Sequence, residues 1–307
     1  MKYPSLQIGK TEFKWGSRTY VMGILNVTPD SFSGDGLLPL SILPLAKGDR
    51  GERFGVESAL AQAETFLASG ADILDVGGES TRPGSQPVTA EEELARVIPV
   101  IEAIMARFPD AIISIDTYKA AVAEPAFKAG ARMLNDVWGL RADAELGFVA
   151  ALHKVPVVLM HNRSSPANVE VRERLGKSYG GSEYANLIED VERELLQSAE
   201  LAVKAGVPES HIILDPGIGF GKTLEHNLEL INRLDEIRAL GYPVLLGPSR
   251  KSFIGQTLDL PADQRLEGTA ATVAVGIARG ADIVRVHDVP QMVRIARMTD
   301  ALVRKSV

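Results

Sequence analysis

Eight times between residues 20 and 305 a short apolar run gives way to a polar turn and then to a stretch of helical period. The runs fall at 20–25, 72–76, 111–115, 132–134, 155–160, 212–214, 243–247 and 282–286. The helical stretches fall at 56–69, 89–107, 120–128, 143–153, 183–205, 224–240, 267–279 and 290–305. Thr89 and Glu92 have capping-box spacing, and Pro290 suits a first helical turn. Consecutive apolar residues in the runs suit strands covered on both faces, which is the condition of a parallel sheet. Eight such β–α units in 307 residues predict an α/β fold, a closed (β/α)8 TIM barrel. An open doubly wound sheet is the alternative, but no dinucleotide fingerprint supports it. Residues 1–18 read as an N-terminal β-hairpin, and 34–55 as an extended loop over the barrel mouth. No linker divides the chain, so 1–307 is expected to form a single domain.

Composition removes several functional classes. There is no cysteine, so disulfides, thiolate metal sites and cysteine nucleophiles are excluded. The net charge of -7 argues against nucleic acid as a partner, which would call for a basic footprint. No apolar run approaches the roughly 20 residues of a membrane span, and residues 1–16 have no apolar core of a signal peptide. A soluble, cytoplasmic protein that does not bind membranes is expected.

The stretch Asp215-Pro216-Gly217-Ile218-Gly219-Phe220-Gly221-Lys222 follows an apolar run directly. It is not a P-loop, because Pro216 stands where the first glycine belongs. It is not a dinucleotide fingerprint, because Lys222 stands where the third belongs. A carboxylate at the tip of a buried strand is costly to desolvate without a partner, so Asp215 is expected to face a ligand. The same placement recurs: Asn26, Asp75, Asp116, Asn135, His161, Lys251, Arg285 and His287 all stand at, or just past, the end of a run. In a barrel these ends meet at one mouth, where active sites lie. Asp116, Asn135, Asp215 and Lys251 can supply acceptors and donors to a planar heterocycle with an amide and amino edge. Arg82, Arg250, Arg285, His287 and the amides near Asn26 suit a phosphate. No Ser-His-Asp arrangement is evident, and no His/His/carboxylate spacing, so the only metal expected is a loosely held Mg2+ beside a phosphate.

Longer motifs sharpen this reading. Residues 23–33, Gly-Ile-Leu-Asn-Val-Thr-Pro-Asp-Ser-Phe-Ser, resemble the first signature of the dihydropteroate synthases, and 75–84, Asp-Val-Gly-Gly-Glu-Ser-Thr-Arg-Pro-Gly, resemble the second. Asp116-Thr117, Asn135-Asp136, Leu159-Met160-His161, the Asp215–Lys222 stretch, Ser249-Arg250-Lys251-Ser252 and Arg285-Val286-His287-Asp288 continue in that family's order. The resemblance implies a homodimeric barrel enzyme of folate biosynthesis. It would join 6-hydroxymethyl-7,8-dihydropterin diphosphate to 4-aminobenzoate, releasing diphosphate and 7,8-dihydropteroate. It implies pterin on Asp116, Asn135, Met160, Asp215 and Lys251; diphosphate on Asn26, Thr81, Arg82, Arg285 and His287; aminobenzoate near Thr81, Pro83 and Ser252; Mg2+ on Asn26; and catalytic roles for Lys251, Asp116 and Arg285. The loops 31–36 and 81–84 would close over the site. The sequence departs from the family at Gly34-Asp35-Gly36, where the acid is shifted by one place, in the long apolar stretch 37–45, and after His161. A corrinoid-dependent methyltransferase of the same barrel type, or a non-catalytic pterin-binding relative, are the alternatives.

Overall fold

The structure, a computed structural model, describes residues 4–28, 49–81, 84–165, 169–172 and 175–304. It opens with an antiparallel hairpin, β1 (Leu6–Ile8) and β2 (Thr11–Phe13), turned at Gly9 with φ +57°. Its alternation is strict: Leu6, Ile8 and Phe13 are buried, while Gln7 and Glu12 are exposed.

The barrel strands are β3 (Tyr20–Asn26), β4 (Ile73–Gly77), β5 (Ile113–Asp116), β6 (Met133–Asp136) and β7 (Val157–Met160), then β10 (Ile212–Asp215), β11 (Leu245–Leu246) and β12 (Ile283–Val286). All are parallel, in the order β10-β7-β6-β5-β4-β3-β12-β11. A parallel bridge from Leu214 to Val244 closes the circle, and the Leu214 amide donates to the Pro243 carbonyl at 2.9 Å. Outside the barrel lie α1 (Asp49–Ser69), α2 (Ala90–Arg107), α3 (Ala120–Ala129), α4 (Leu146–His153), α5 (Leu187–Lys204), α6 (Leu224–Asn232), α7 (Leu234–Ala239), α8 (Ser252–Leu258), α9 (Leu266–Ala278) and α10 (Val289–Val303).

Side chains divide into two cores by strand parity. One set, including Leu74, Val76, Ile115, Leu134, Leu159 and Leu214, packs outward against the helices. The other set, Tyr20, Met22, Ile73, Ile112, Met133, Val158, Ile213, Leu245 and Ile283, fills the barrel and meets Leu6, Ile8 and Phe13 of the hairpin. The hairpin is therefore a plug for the N-terminal end of the barrel. The Phe13 and Tyr20 ring centroids lie 4.5 Å apart there. Asp282 stitches the same end, accepting from the amides of Gly16 at 3.1 Å and Val244 at 3.0 Å.

Four local expectations change. Of the loop expected over 34–55, residues 49–55 are the start of α1, and 34–48 lie outside the described residues. The helix expected over 224–240 is two helices. The chain leaves helical geometry at Arg233, with φ -112° and ψ 26°, and the guanidinium there pairs with Glu229 and Glu236, both at 2.6 Å. Period alone hides this break, because the buried Leu230, Leu234 and Ile237 keep helical spacing across it. A second hairpin, β8 (Val169–Arg172) and β9 (Gly176–Tyr179), follows β7. Its strands are only four residues each, Val-Glu-Val-Arg and Gly-Lys-Ser-Tyr, too short for their pattern to stand out in the sequence. The stretch after β11 also carries an extra helix, α8, before α9.

Phe13→Ala tests the plug. Loss of a fully buried aromatic ring should cost about 3–5 kcal/mol of stability, measured by urea unfolding. A loss below about 1 kcal/mol would mean that the hairpin does not share the barrel's cooperative unit.

Candidate active site

Along the interior parity four of the strands begin apolar and end polar, Ile73 leading to Asp75, Met133 to Asn135, Ile213 to Asp215 and Ile283 to Arg285, while Val158 leads to Met160. The register then places these ends beside one another: Asp116 pairs with Asn135, Asp215 with Met160, and Asp75 with Ile24, two residues before Asn26. The expected residues Asp116, Asn135, Met160, Asp215, Lys251 and Arg285 thus meet at the C-terminal mouth, where Asn26 ends β3 and His287 follows β12.

Arg285 sits at the centre. Its Nε lies 2.5 Å from Asp75 Oδ2 and its Nη2 2.6 Å from Asp116 Oδ2. The Asn135 amide donates to Asp75 Oδ2 at 3.1 Å. Asp75 was expected at the rim without a role; it is fully buried, and it orients both Arg285 and Asn135. Burial works against the Arg285 charge, but the Asp75 and Asp116 carboxylates overcome it and push its pKa up. One cation thereby serves two anions. Burial pushes the Asp116 carboxyl up to about 7, against the pull of Arg285 and with Asp75 adding to the rise. Burial likewise raises Asp215, opposed by Lys251 and by the Gly217 amide, which donates to Asp215 Oδ1 at 2.7 Å. Burial lowers Lys251 to about 8, against the attraction of Asp215. Gly247 leaves room for this group: a Cβ there would lie 3.9 Å from Lys251 Nζ, 4.0 Å from Asp215 Oδ2 and 3.8 Å from Arg285 Cβ.

The Asp215–Lys222 loop walls the mouth. Gly217 has φ +69°, and a Cβ on it would stand 1.8 Å from the His161 carbonyl oxygen. Gly221 has φ +66°, and its Cβ would stand 2.5 Å from the Arg163 backbone. No other residue fits either position without moving the neighbouring chain. Lys251 Nζ donates to the Ile218 carbonyl and lies 4.7 Å from the Phe220 ring centroid. Lys222, not expected as a site residue, is buried beneath the loop. The glycine spacing does not reveal it, because the lysine at the end of such a loop reads as a surface residue.

Two rim expectations are corrected. His161 continues the outward parity of Leu159 and faces α5, with Nε2 3.1 Å from Glu194 Oε2. Arg250, read as a phosphate donor, is held by Asp288, with Nε to Oδ2 at 3.0 Å and Nη2 to Oδ1 at 2.6 Å. It ties the loop after β11 to the loop after β12. His287 is anchored to Ser249, whose Oγ lies 3.0 Å from Nδ1 and accepts from the His287 amide at 3.1 Å. Ser252 opens α8 directly after Lys251. The Thr81 carbonyl accepts from Tyr179 Oη at 3.1 Å, so β9 stands beside the second signature. Arg82, Pro83 and the loop 31–36 lie outside the described residues.

The arrangement has adjacent carboxylates, an amide and two cations in a buried cup, which suits a flat, hydrogen-bonding bicycle. Comparisons with known proteins agree. The family profile described as Pterin binding enzyme matches residues 22–287. The chain is 48% identical over 301 residues to the dihydropteroate synthase of Clostridium beijerinckii, covering 98% of this chain and 100% of that one. A solved dihydropteroate synthase of Clostridium difficile, studied in the presence of pteroic acid, has a TM-score of 0.81 at 46% identity, covering 95% of this chain and 100% of that chain. The Xanthomonas albilineans enzyme, solved with 4-aminobenzoic acid, has a TM-score of 0.83 at 37% identity, covering 98% of each. Matched along nearly its whole length, this chain belongs to the pterin-binding enzymes, among the dihydropteroate synthases.

Proposed function

We infer that the barrel mouth joins 6-hydroxymethyl-7,8-dihydropterin diphosphate to 4-aminobenzoate, giving 7,8-dihydropteroate and diphosphate for folate synthesis. The observation that carries this reading is the convergence of Asp116, Asn135, Asp215, Lys251 and Arg285 at the C-terminal mouth of the barrel. The acceptors Asp116, Asn135 and Asp215 take the amino and amide edge of the pterin, and Met160 packs against its ring. Lys251, beside Asp215, adds a donor to the same ring. Asn26, Thr81, Arg82, Arg285 and His287 receive the diphosphate, and Thr81, Pro83 and Ser252 receive the aminobenzoate.

The chemistry asks little covalent work of the protein. The bond from the exocyclic carbon to the diphosphate oxygen breaks first, because the dihydropterin ring spreads the developing positive charge. The aminobenzoate nitrogen then attacks that carbon and sheds a proton. Arg285, Lys251 and Asp116 serve catalysis by fixing the ring and stabilising the charges that separate. No nucleophilic side chain is needed, in keeping with a mouth of acceptors and cations. Among the described residues no three His, Asp or Glu converge as a metal cage. The Asn26 amide oxygen is a single hard donor, and Mg2+ that keeps its waters and binds diphosphate oxygens needs no more. When bound, such an ion would neutralise charge on the departing diphosphate.

We propose a cytoplasmic homodimer with small-molecule substrates and neither nucleic acid nor membrane as partner. Among the described residues no helix is long and apolar enough to cross a membrane. The exposed Leu228 and Val275 flank an apolar groove that also includes Ile231 and Phe253, a face that a second copy would cover.

Three measurements test this reading. Diphosphate release should depend on 4-aminobenzoate; a chain that binds pterin without turnover would overturn the assignment. Lys251→Ala should lower kcat/KM at least about tenfold, roughly 1.4 kcal/mol of barrier, and an unchanged rate would remove Lys251 from the mechanism. Because Asp116 ionises near 7 and the pterin edge needs its carboxylate, affinity for a pterin analogue should rise with pH through that value. Calorimetry of Asp116→Asn should show this rise flattened, whereas an identical slope would assign the titration elsewhere.

A further inference from the structure

Behind the Asp215–Lys222 loop lies a buried chain of polar groups that the proposed reaction does not use. Lys222 Nζ donates to the Gly217 carbonyl at 2.9 Å, to the Phe220 carbonyl at 3.1 Å, and lies 3.0 Å from His161 Nδ1. An ammonium has three donors and no acceptor, so these three partners saturate it. His161 Nδ1 must then accept, which leaves the proton on Nε2, directed at Glu194. Burial holds the His161 imidazole low, to about 4, so it is neutral and can play both parts. Glu194 is fixed in turn by Arg163, whose Nε lies 3.1 Å from Oε1 and whose Nη1 donates to the Glu183 carbonyl at 2.6 Å.

A lysine buried in this way is expensive for the fold. Burial pushes its ammonium down to about 7, against the attraction of Asp215. A methionine of similar length would fill the space without that cost. What the ammonium supplies is directional. It binds the carbonyls of Gly217 and Phe220 from behind, while Lys251 binds the Ile218 carbonyl of the same turn from the mouth. Asp215 is tied to that turn through the Gly217 amide. The two residues assigned to the pterin, Asp215 and Lys251, therefore both take their positions from a turn that Lys222 holds.

We propose that Lys222, with His161 and Glu194 behind it, is a positioning unit that sets the Asp215 and Lys251 geometry for the pterin substrate. Lys222 touches no substrate; it acts through the loop. This inference rests on the synthase reading, and it locates within that site a determinant of pterin affinity.

Lys222→Met is the direct test, assayed with both substrates varied and with calorimetric titration of a pterin analogue. The KM for the pterin diphosphate should rise at least about tenfold, with a matching loss of analogue affinity, while the KM for 4-aminobenzoate stays within about twofold. Unchanged constants, or equal rises in both KM values, would overturn the positioning role. If Lys222→Met fails to fold, the pair His161→Leu and His161→Gln decides. Glutamine keeps an acceptor for Lys222 and a donor for Glu194, so it should recover most of the pterin KM lost with leucine. Indistinguishable leucine and glutamine variants would overturn the relay. A wild-type chain without aminobenzoate-dependent diphosphate release would defeat the synthase reading instead, and the analogue titrations would still test the clamp.

Discussion

Two buried carboxylates share one guanidinium inside this barrel, and the mouth is built around that imbalance. Asp75 and Asp116 both reach Arg285, and Asn135 completes the group by donating to Asp75. Removing Arg285 would strand two carboxylates in a medium that solvates them poorly. The cluster is therefore held in register by its own electrostatics, before any ligand enters. It also leaves capacity unused: Asp75 Oδ1 is buried with no hydrogen-bond partner among the described residues. A site with one cation too few for its carboxylates presents acceptors to an incoming N–H edge, the property a pterin requires.

The rest of the fold supplies the conditions for that cluster. The hairpin plug seals the opposite end of the barrel with Leu6, Ile8 and Phe13, so the polar layer rests on a continuous apolar floor. The closing bridge between β10 and β11 brings Asp215 next to Gly247 and Lys251. Around the rim, loops are tied to one another as well as to the helices beneath them. Arg250 joins the β11 and β12 loops through Asp288, Tyr179 reaches Thr81, and Lys222 holds the Asp215 turn. These ties fix the angles at which the polar groups of the mouth meet, and precise orientation is much of what a reaction between two bound substrates asks of a protein.

Legibility in the sequence followed the strength of each local signal. Apolar runs alternating with stretches of helical period made all eight barrel units readable, because burial on both faces leaves the strands with few polar positions. The placement of Asp116, Asn135, Asp215 and Arg285 at strand ends was readable for the same reason. The β8–β9 hairpin was not, since its strands are only four residues each and too short for a clear pattern. The break at Arg233 was hidden by buried positions that keep their spacing across it. Arg250 and His161 were misread together. A single residue of parity turns His161 away from the mouth, and Arg250 lies in a turn past β11 with φ +57°, where its partner Asp288 is distant in the chain.

What the sequence by itself determined is the architecture and the kind of group at the mouth. Periodicity is a local property, and it dictates which residues must be covered and which strand ends carry charge. What only the tertiary structure decided is who pairs with whom. The partners of Arg285 lie 210 and 169 residues away, and those of Lys222 include a histidine 61 residues away. Such pairings depend on barrel shear and loop packing, whose energies come from contacts between distant segments and leave no trace in local spacing.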